Sequence, residues 1–386
     1  MAILRIGASL LVLSLGVGLC CSEVLAGTSF PASLLANTSA RAAGMVDALT
    51  SLADSRDPLS TALNPAAPAV SRATATVSGS PVPTGLALSF GSSAAGMDRP
   101  RVFGDLQSTG CSYTFAPRIP RLESPLSLAV YTTSFKVADM EWTNRDGELL
   151  GYFRGSDSAL GVAVAANLAS SVWGAHNGPF CAGLGLAVVK QELSGGGAGF
   201  PRTKPDLAFA VSYGLIMEPL ALRPGGWHLV VGASLLDRPF PFGDRGTIRT
   251  PSSAYSRQRV DAFPQRLAFG VAAYTREFGR EILLVWDNVV HRRSWEAKGA
   301  VELSFYARQV GLSVRGGAMI PPVPGDIYDG AFDKHGLRWS GGLGLSAPLK
   351  YFRAEVDYAV WRSRGNGLRG ATFPLFSVSI NSDAGG

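Results

Sequence analysis

The chain is poor in charge. Only 17% of its 386 residues are Asp, Glu, Lys or Arg, whereas about 25% is usual for a soluble domain. Cysteine is scarce as well. Cys20 and Cys21 fall in the N-terminal apolar run, which leaves Cys111 and Cys181 for the rest of the chain. Neither belongs to a C-x-x-C pair, so a disulfide framework and a cysteine metal cluster are excluded, while a single bridge stays open. The four histidines, His176, His228, His291 and His335, lie in four separate segments without metal-ligand spacing. No G-x-S-x-G elbow is present, so lipase chemistry lacks a nucleophile. The glycine run Ser194 to Gly199 lacks the lysine and following helix of a phosphate loop and reads as an external loop. No enzyme constellation emerges, and no cofactor is required. Glu355 and Asp357 share one strand face about 7 Å apart, a spacing that resembles a glycosidase pair; an ion-pair network is the better account.

The positive charge of +6 is carried mostly by scattered arginine without interleaved stacking residues, which argues against nucleic acid and toward anionic lipid at a membrane surface. No charged, proline-rich or serine-rich linker divides the chain after residue 90, so one large unit is expected. Long apolar helices are missing too. The uncharged span Ser158 to Val189 is broken by Asn167, Ser170, Ser171 and the stretch His176-Asn177-Gly178-Pro179, which suits a hairpin turn.

What the chain does have begins with an export signal. Arg5, the apolar run Ile6 to Cys21 and Val24-Leu25-Ala26 before Gly27 have the order of a cleaved secretory signal covering residues 1–26. A lipidated Cys20 or Cys21 is the alternative, disfavoured by the bulky Leu19. From about residue 158 onward, apolar residues recur at every second position over segments of eight to thirteen residues. Phe352, Ala354, Val356, Tyr358 and Val360 alternate with Arg353, Glu355, Asp357 and Ala359. Val301, Leu303 and Phe305 oppose Glu302, Ser304 and Tyr306, and Leu312 and Val314 oppose Ser313 and Arg315.

A soluble sandwich alternates in the same way. Connection lengths separate the two: short links such as Leu349-Lys350 fall on one side, and long ones such as Asp237 to Phe263 and Ile320 to Gly336 mostly on the other. Short periplasmic turns and long external loops are what outer-membrane barrels show. The expected fold is therefore all-β, a transmembrane antiparallel β-barrel spanning 73–380, followed by a short tail, 381–386. Eleven strands are expected at 158–172, 181–193, 206–217, 226–236, 264–276, 280–291, 296–307, 310–319, 337–347, 351–361 and 373–380. An even total is required, so one or three more must come from 86–92, 107–116, 127–136 and 148–154. On the charged stripes, Arg353, Glu355 and Asp357, with Arg338 on a neighbouring strand, are expected to form a network facing the lumen, because buried charges need partners.

Residues 37–70 break the strand rhythm. Ala40-Arg41-Ala42-Ala43-Gly44-Met45, Ala48, Ala53-Asp54 and Asn64-Pro65-Ala66 resemble the N-terminal hatch of the FadL-type long-chain fatty-acid transporters and their PorV-like relatives. The closing segment Ala354 to Ala359 with Phe376 to Ile380, and the phrases Gly232-Ala233-Ser234, Pro264 to Val271 and Leu312 to Gly317, are similar to strand phrases of the same group. Val46-Asp47 stands where the family has a double glycine, Ser55 replaces an aspartate, Leu63 replaces an aromatic residue, and the C-terminus lacks a terminal aromatic. The resemblance implies a fourteen-stranded barrel and a hatch, here 27–72, that plugs the lumen from the periplasmic side. It also implies uptake of long-chain fatty acids or similar hydrophobic molecules, with Asn64, Pro65 and Ala66 as gating residues and with membrane lipid and the barrel-assembly machinery as partners. A PorV-like anchor or shuttle for exported proteins is the alternative, and a surface adhesin comes third. The segment Asp237 to Arg266 holds six arginines against three aspartates. In it Phe240, Phe242, Arg245, Arg249 and Tyr255 are candidates for a capture loop in which aromatics meet an acyl chain and arginine its carboxylate.

Overall fold

The computed structural model describes residues 39–48, 50–51, 58–70, 85–93, 106–115, 126–143, 149–168, 179–196, 206–222, 226–237, 266–277, 279–291, 294–307, 310–320, 338–349, 352–362 and 372–382. The signal, Cys20 and Cys21, the tract 238–265 with the candidate capture loop, and His176 and His335 lie outside them.

Fourteen antiparallel strands form one closed barrel in sequence order. They are β1 (Gly85–Ser93), β2 (Leu106–Phe115), β3 (Leu126–Thr143), β4 (Leu149–Asn167), β5 (Phe180–Gly196), β6 (Asp206–Leu222) and β7 (Trp227–Asp237). The second half consists of β8 (Arg266–Glu277), β9 (Arg280–His291), β10 (Ser294–Ala307), β11 (Val310–Ile320), β12 (Arg338–Leu349), β13 (Phe352–Arg362) and β14 (Thr372–Ser382). Closure is made by β1 on β14, with Leu88 opposite Val378. Of the four N-terminal candidates, 86–92, 107–116 and 127–136 correspond to β1, β2 and β3. The fourth, 148–154, is the first half of β4, which runs on through Asn167 in continuous pairing with β5. The expected break between 154 and 158 is absent because Arg154, Ser156 and Asp157 stay in the ladder, opposite Ser194, Glu192 and Gln191. At the other end β14 extends to Ser382, past the expected tail boundary, since Asn381 pairs with Gly85 and Ser382 with Phe352.

Where both faces of a strand are described, they are partitioned inside out relative to a soluble protein. On β13, Val356 and Tyr358 are exposed while Glu355 and Asp357 are 2% and 3% accessible. The same inversion holds for Leu303 and Phe305 against Glu302 and Ser304, for Leu312 and Val314 against Ser313 and Arg315, and for Leu343 and Leu345 against Ser346. Exposed Leu160, Leu186, Tyr213 and Leu284 continue this belt on other strands, and Trp339 extends it on β12. A water-soluble protein does not expose an apolar belt around its girth; hydrocarbon is the solvent that suits it, and a closed barrel leaves no strand edge unpaired within it. No described helix is long and apolar enough to cross a membrane; the strands do the crossing. Leu186→Arg, at a lipid-facing position 52% accessible, is expected to cost about 2–4 kcal/mol if it sits at the bilayer midplane. Reversible denaturant unfolding in lipid vesicles measures it.

Wall side chains alone cannot fill a barrel of fourteen strands. The inner residues are nevertheless buried, because the N-terminal segment lies inside. Helix α1 (Ala40–Gly44) is capped by the Ser39 hydroxyl, which accepts from the Ala42 amide at 3.0 Å. A short 3-10 helix, Pro58–Ala62, follows. Ala42, Met45, Val46, Ala48, Leu63, Ala66, Ala67, Ala69 and Val70 join inner-wall residues such as Cys181, Ile216, Val230, Leu283 and Met319 in one buried cluster.

Candidate functional site

The site is the contact between this internal segment and the inner wall, and it has two chemically different halves. On the β10–β13 side it is ionic. Glu302 on β10 receives Arg41 of α1 through Nε at 2.9 Å and Nη2 at 3.1 Å. It also receives Arg315 of β11 through Nε at 2.7 Å. Arg315 then donates through Nη2 to Glu355 at 2.9 Å and through Nη1 to Asp357. Two guanidinium groups thus meet three carboxylates, all at 3% accessibility or less. This is the fork-to-carboxylate geometry that desolvated charges need. Ser340 completes the mooring: its hydroxyl donates to the Gly44 carbonyl at 2.9 Å and accepts from the Val46 amide at 3.2 Å. Further along, the Thr50 amide donates to Asp287 Oδ2 at 2.7 Å.

On the β5–β8 side the wall is made of glycine. Gly183 and Gly214 are cross-strand partners, as are Gly232 and Gly270. A methyl group on Gly183 would lie 2.5 Å from the Ala66 nitrogen, and one on Gly214 would lie 2.8 Å from Pro65 Cδ. One on Gly232 would lie 2.5 Å from Ser51 Cα. All are below the separation any real Cβ tolerates, so glycine is what lets the segment's backbone touch the wall. Gly342 gives α1 a milder version of this clearance, since its Cβ would stand 3.3 Å from Gly44 Cα, a tight contact rather than an overlap.

Asn64 ties the segment to itself and to the glycine side of the wall. Its Nδ2 donates to the Thr50 carbonyl at 2.7 Å and reaches the Leu215 and Ala233 carbonyls of β6 and β7 at 3.4 Å. Its Oδ1 accepts from the Ala66 amide at 3.1 Å. The amide is fully buried, and with one group it satisfies donors and acceptors on the segment and on the wall.

Val46 and Asp47 have φ of 49° and 57°. These are left-handed conformations at the two positions where the resembling family carries glycine. L-residues there, one of them β-branched, hold strain of order 1–3 kcal/mol each. The Val46 side chain, packed in the buried cluster, compensates.

The residues singled out in the sequence are distributed as follows. Asn64, Pro65 and Ala66 lie together against Gly183 and Gly214. Glu355 and Asp357 share Arg315. Arg353 donates instead to the Ser346 hydroxyl at 2.9 Å and lies over the Tyr306 ring at 5.3 Å. The backbone of Arg338 pairs with Met319 at the start of β12. Cys111 and Cys181 are free thiols. His228 pairs through Nδ1 with Glu218 at 2.6 Å and stacks on Tyr274. No group of three or more His, Cys, Asp or Glu is arranged around a metal among the described residues. Sequence reasoning missed Arg315, Glu302 and Arg41 as network members, and Asp287 as the acceptor for the Thr50 amide. The period-two pattern had put Glu302 and Arg315 on polar stripes, and it carries no information on which stripes face one another.

These features define the class: an outer-membrane β-barrel whose lumen is occupied by its own N-terminal segment. No protein-family model and no curated protein sequence matches the chain. Among solved structures, the TodX deltaS2S3 mutant, a monoaromatic hydrocarbon channel, is similar at TM-score 0.51 and 10% identity, covering 85% of this chain and 94% of that one. A Pseudomonas aeruginosa FadL homologue aligns at TM-score 0.49 and 10% identity, covering 90% and 98%. CdiB from Acinetobacter baumannii aligns at TM-score 0.43 and 8% identity over 78% of this chain, which spans 60% of CdiB's length. The TodX likeness is one of fold, and that fold is consistent with the FadL-type resemblance of the N-terminal residues.

Proposed function

We propose that this barrel is a passive channel for hydrophobic molecules, with long-chain fatty acids or similar amphiphiles as its cargo and residues 27–72 as its hatch. The observation that carries the proposal is the plug itself. Wall side chains do not fill this lumen; a separate piece of chain does, and beyond the ionic mooring of α1 it is seated on glycine and apolar surface. A segment held that way can shift without breaking the strand ladder. Above it, Tyr131, Ala159, Ala187, Val189, Ala210 and Leu236 form a second apolar cluster with Ala62, a surface suited to an alkyl chain. The structural neighbour TodX is a hydrocarbon channel, which supports the same class of cargo. The external tract containing Phe240, Phe242, Arg245, Arg249 and Tyr255 would serve as the capture surface.

Labelled oleate uptake into cells or vesicles that depends on this protein is the expected result. Asn64→Ala should change the uptake rate several-fold, because it leaves the buried Thr50 carbonyl without its donor, at about 1–3 kcal/mol. Uptake unaltered by deletion of the whole protein would reject the channel. Co-purification of a large exported protein, together with absent uptake, would favour the PorV-like anchor instead.

A further inference from the structure

The hatch is held by charge at one end and by close backbone packing at the other. We propose, building on the channel reading, that only the Pro58–Val70 limb moves while α1 stays moored, so that an extended apolar chain leaves the lumen along the inner face of β5 and β6. Three observations converge on this division.

First, α1 is tied to β10, β11 and β12 by the Arg41–Glu302–Arg315 chain and by both bonds of Ser340. Releasing it would strand buried charges. Second, the limb meets β5 and β6 through glycine, Pro65 and Ala66, Asn64 Nδ2 reaches the Leu215 and Ala233 carbonyls only at a long 3.4 Å, and no ion pair joins limb to wall among the described residues. Lifting it exposes apolar surface and a few backbone groups, which an alkyl chain entering the same space covers again. Third, limb and mooring are joined by the bond from Asn64 Nδ2 to the Thr50 carbonyl, and Thr50 is itself fixed to Asp287. Asn64 therefore sits at the boundary between the fixed part and the moving part. The face uncovered by the motion carries Gly183, Gly185, Gly214, Cys181 and Ile216. It offers an aliphatic chain a smooth, uncharged track.

Cys181 is a built-in reporter. It is fully buried, lies two positions before Gly183 on the same face, and belongs to the cluster that contains Ala66. In the full-length Cys111→Ser protein in vesicles, a small maleimide should label Cys181 several-fold faster when oleate is present, with the site assigned by peptide mass spectrometry. Unchanged labelling while oleate uptake proceeds would overturn the proposal.

Crosslinking separates the two ends. A Cβ at Gly185 would lie 3.5 Å from Pro65 Cβ, within the range a disulfide spans. A Cβ at Gly317 would stand 3.0 Å from Val46 Cγ2, so a bridge there locks the α1 end. Both pairs, P65C/G185C and V46C/G317C, are introduced with Cys111→Ser and Cys181→Ala, and each oxidised protein is compared with itself after reduction. The limb bridge should reduce oleate uptake several-fold, with recovery on reduction, while the α1 bridge leaves uptake within twofold. If the α1 bridge blocks uptake, alone or together with the limb bridge, the moored helix also moves and the proposal fails. If neither bridge blocks, the hatch does not move, yet the channel reading survives. If the unmodified protein takes up no oleate, the channel reading itself is rejected and this proposal with it.

Discussion

Arg315→Met is expected to be the most damaging single substitution in the barrel. It removes the guanidinium that joins Glu302, Glu355 and Asp357, leaving three carboxylates at 3% accessibility or less with Arg41 as the remaining guanidinium of the network. Breaking a buried ion pair from one side typically costs about 3–5 kcal/mol, because an uncompensated charge stays in a low-dielectric site. The carboxylates escape by taking up protons or admitting water, and either loosens the mooring of α1. Heat-modifiable migration on a gel, run as a temperature series, should show the folded band lost at a clearly lower temperature than in the unaltered protein. Combining Arg315→Met with Glu355→Gln and Asp357→Asn, while Glu302 keeps Arg41 as its partner, should restore much of the loss, since the two carboxylates that depended on Arg315 are no longer charged. An unshifted transition in the single variant would mean that the network is open to water.

Gly214→Val is expected to have the largest effect on permeability with little effect on the barrel. Its Cβ would overlap Asn64 Oδ1 and come within 2.8 Å of Pro65 Cδ and 2.9 Å of the Ala66 nitrogen. Contacts that short cannot be relieved by rotating a side chain, because two of the three atoms belong to the proline ring and the backbone. β6 is held by its ladders to β5 and β7, so the limb yields before the wall does. Conductance of single molecules in planar bilayers should rise, and oleate uptake should lose its saturation, while heat-modifiability stays that of a folded barrel. Conductance equal to that of the unaltered protein would show that the limb does not seal the lumen.

Much of this architecture was legible in the residues. The alternation Phe352 to Val360 assigned one face of β13 to lipid and the other to the lumen. An even strand total followed from the termini, and the weak candidates supplied three of the strands. Boundaries were less legible: the candidates 148–154 and 158–172 are one strand through Arg154, Ser156 and Asp157, and β3, β5, β6 and β14 run past their expected ends. Those polar residues of β4 remain paired with β5. Asn64-Pro65-Ala66 stood out by resemblance, and the departure at Val46-Asp47 marked the place where the backbone adopts positive φ.

The network partners were not legible, for a physical reason. Strand periodicity is local: it says that Arg315 and Glu355 each face inward, but their meeting depends on the stagger of β11, β12 and β13 around the barrel. The position of the hatch is a more distant matter still. Its contacts with Gly183, Gly214, Gly232 and Gly270 join residues more than a hundred positions apart, and a glycine in a strand reads only as a weak strand former until the chain it admits is in place. From about residue 158 onward the sequence by itself determined which strand face meets lipid, because that depends on side-chain polarity at period two. Only the tertiary structure decided what fills the lumen and which charges hold it there, because those contacts exist only once the barrel has closed around the segment.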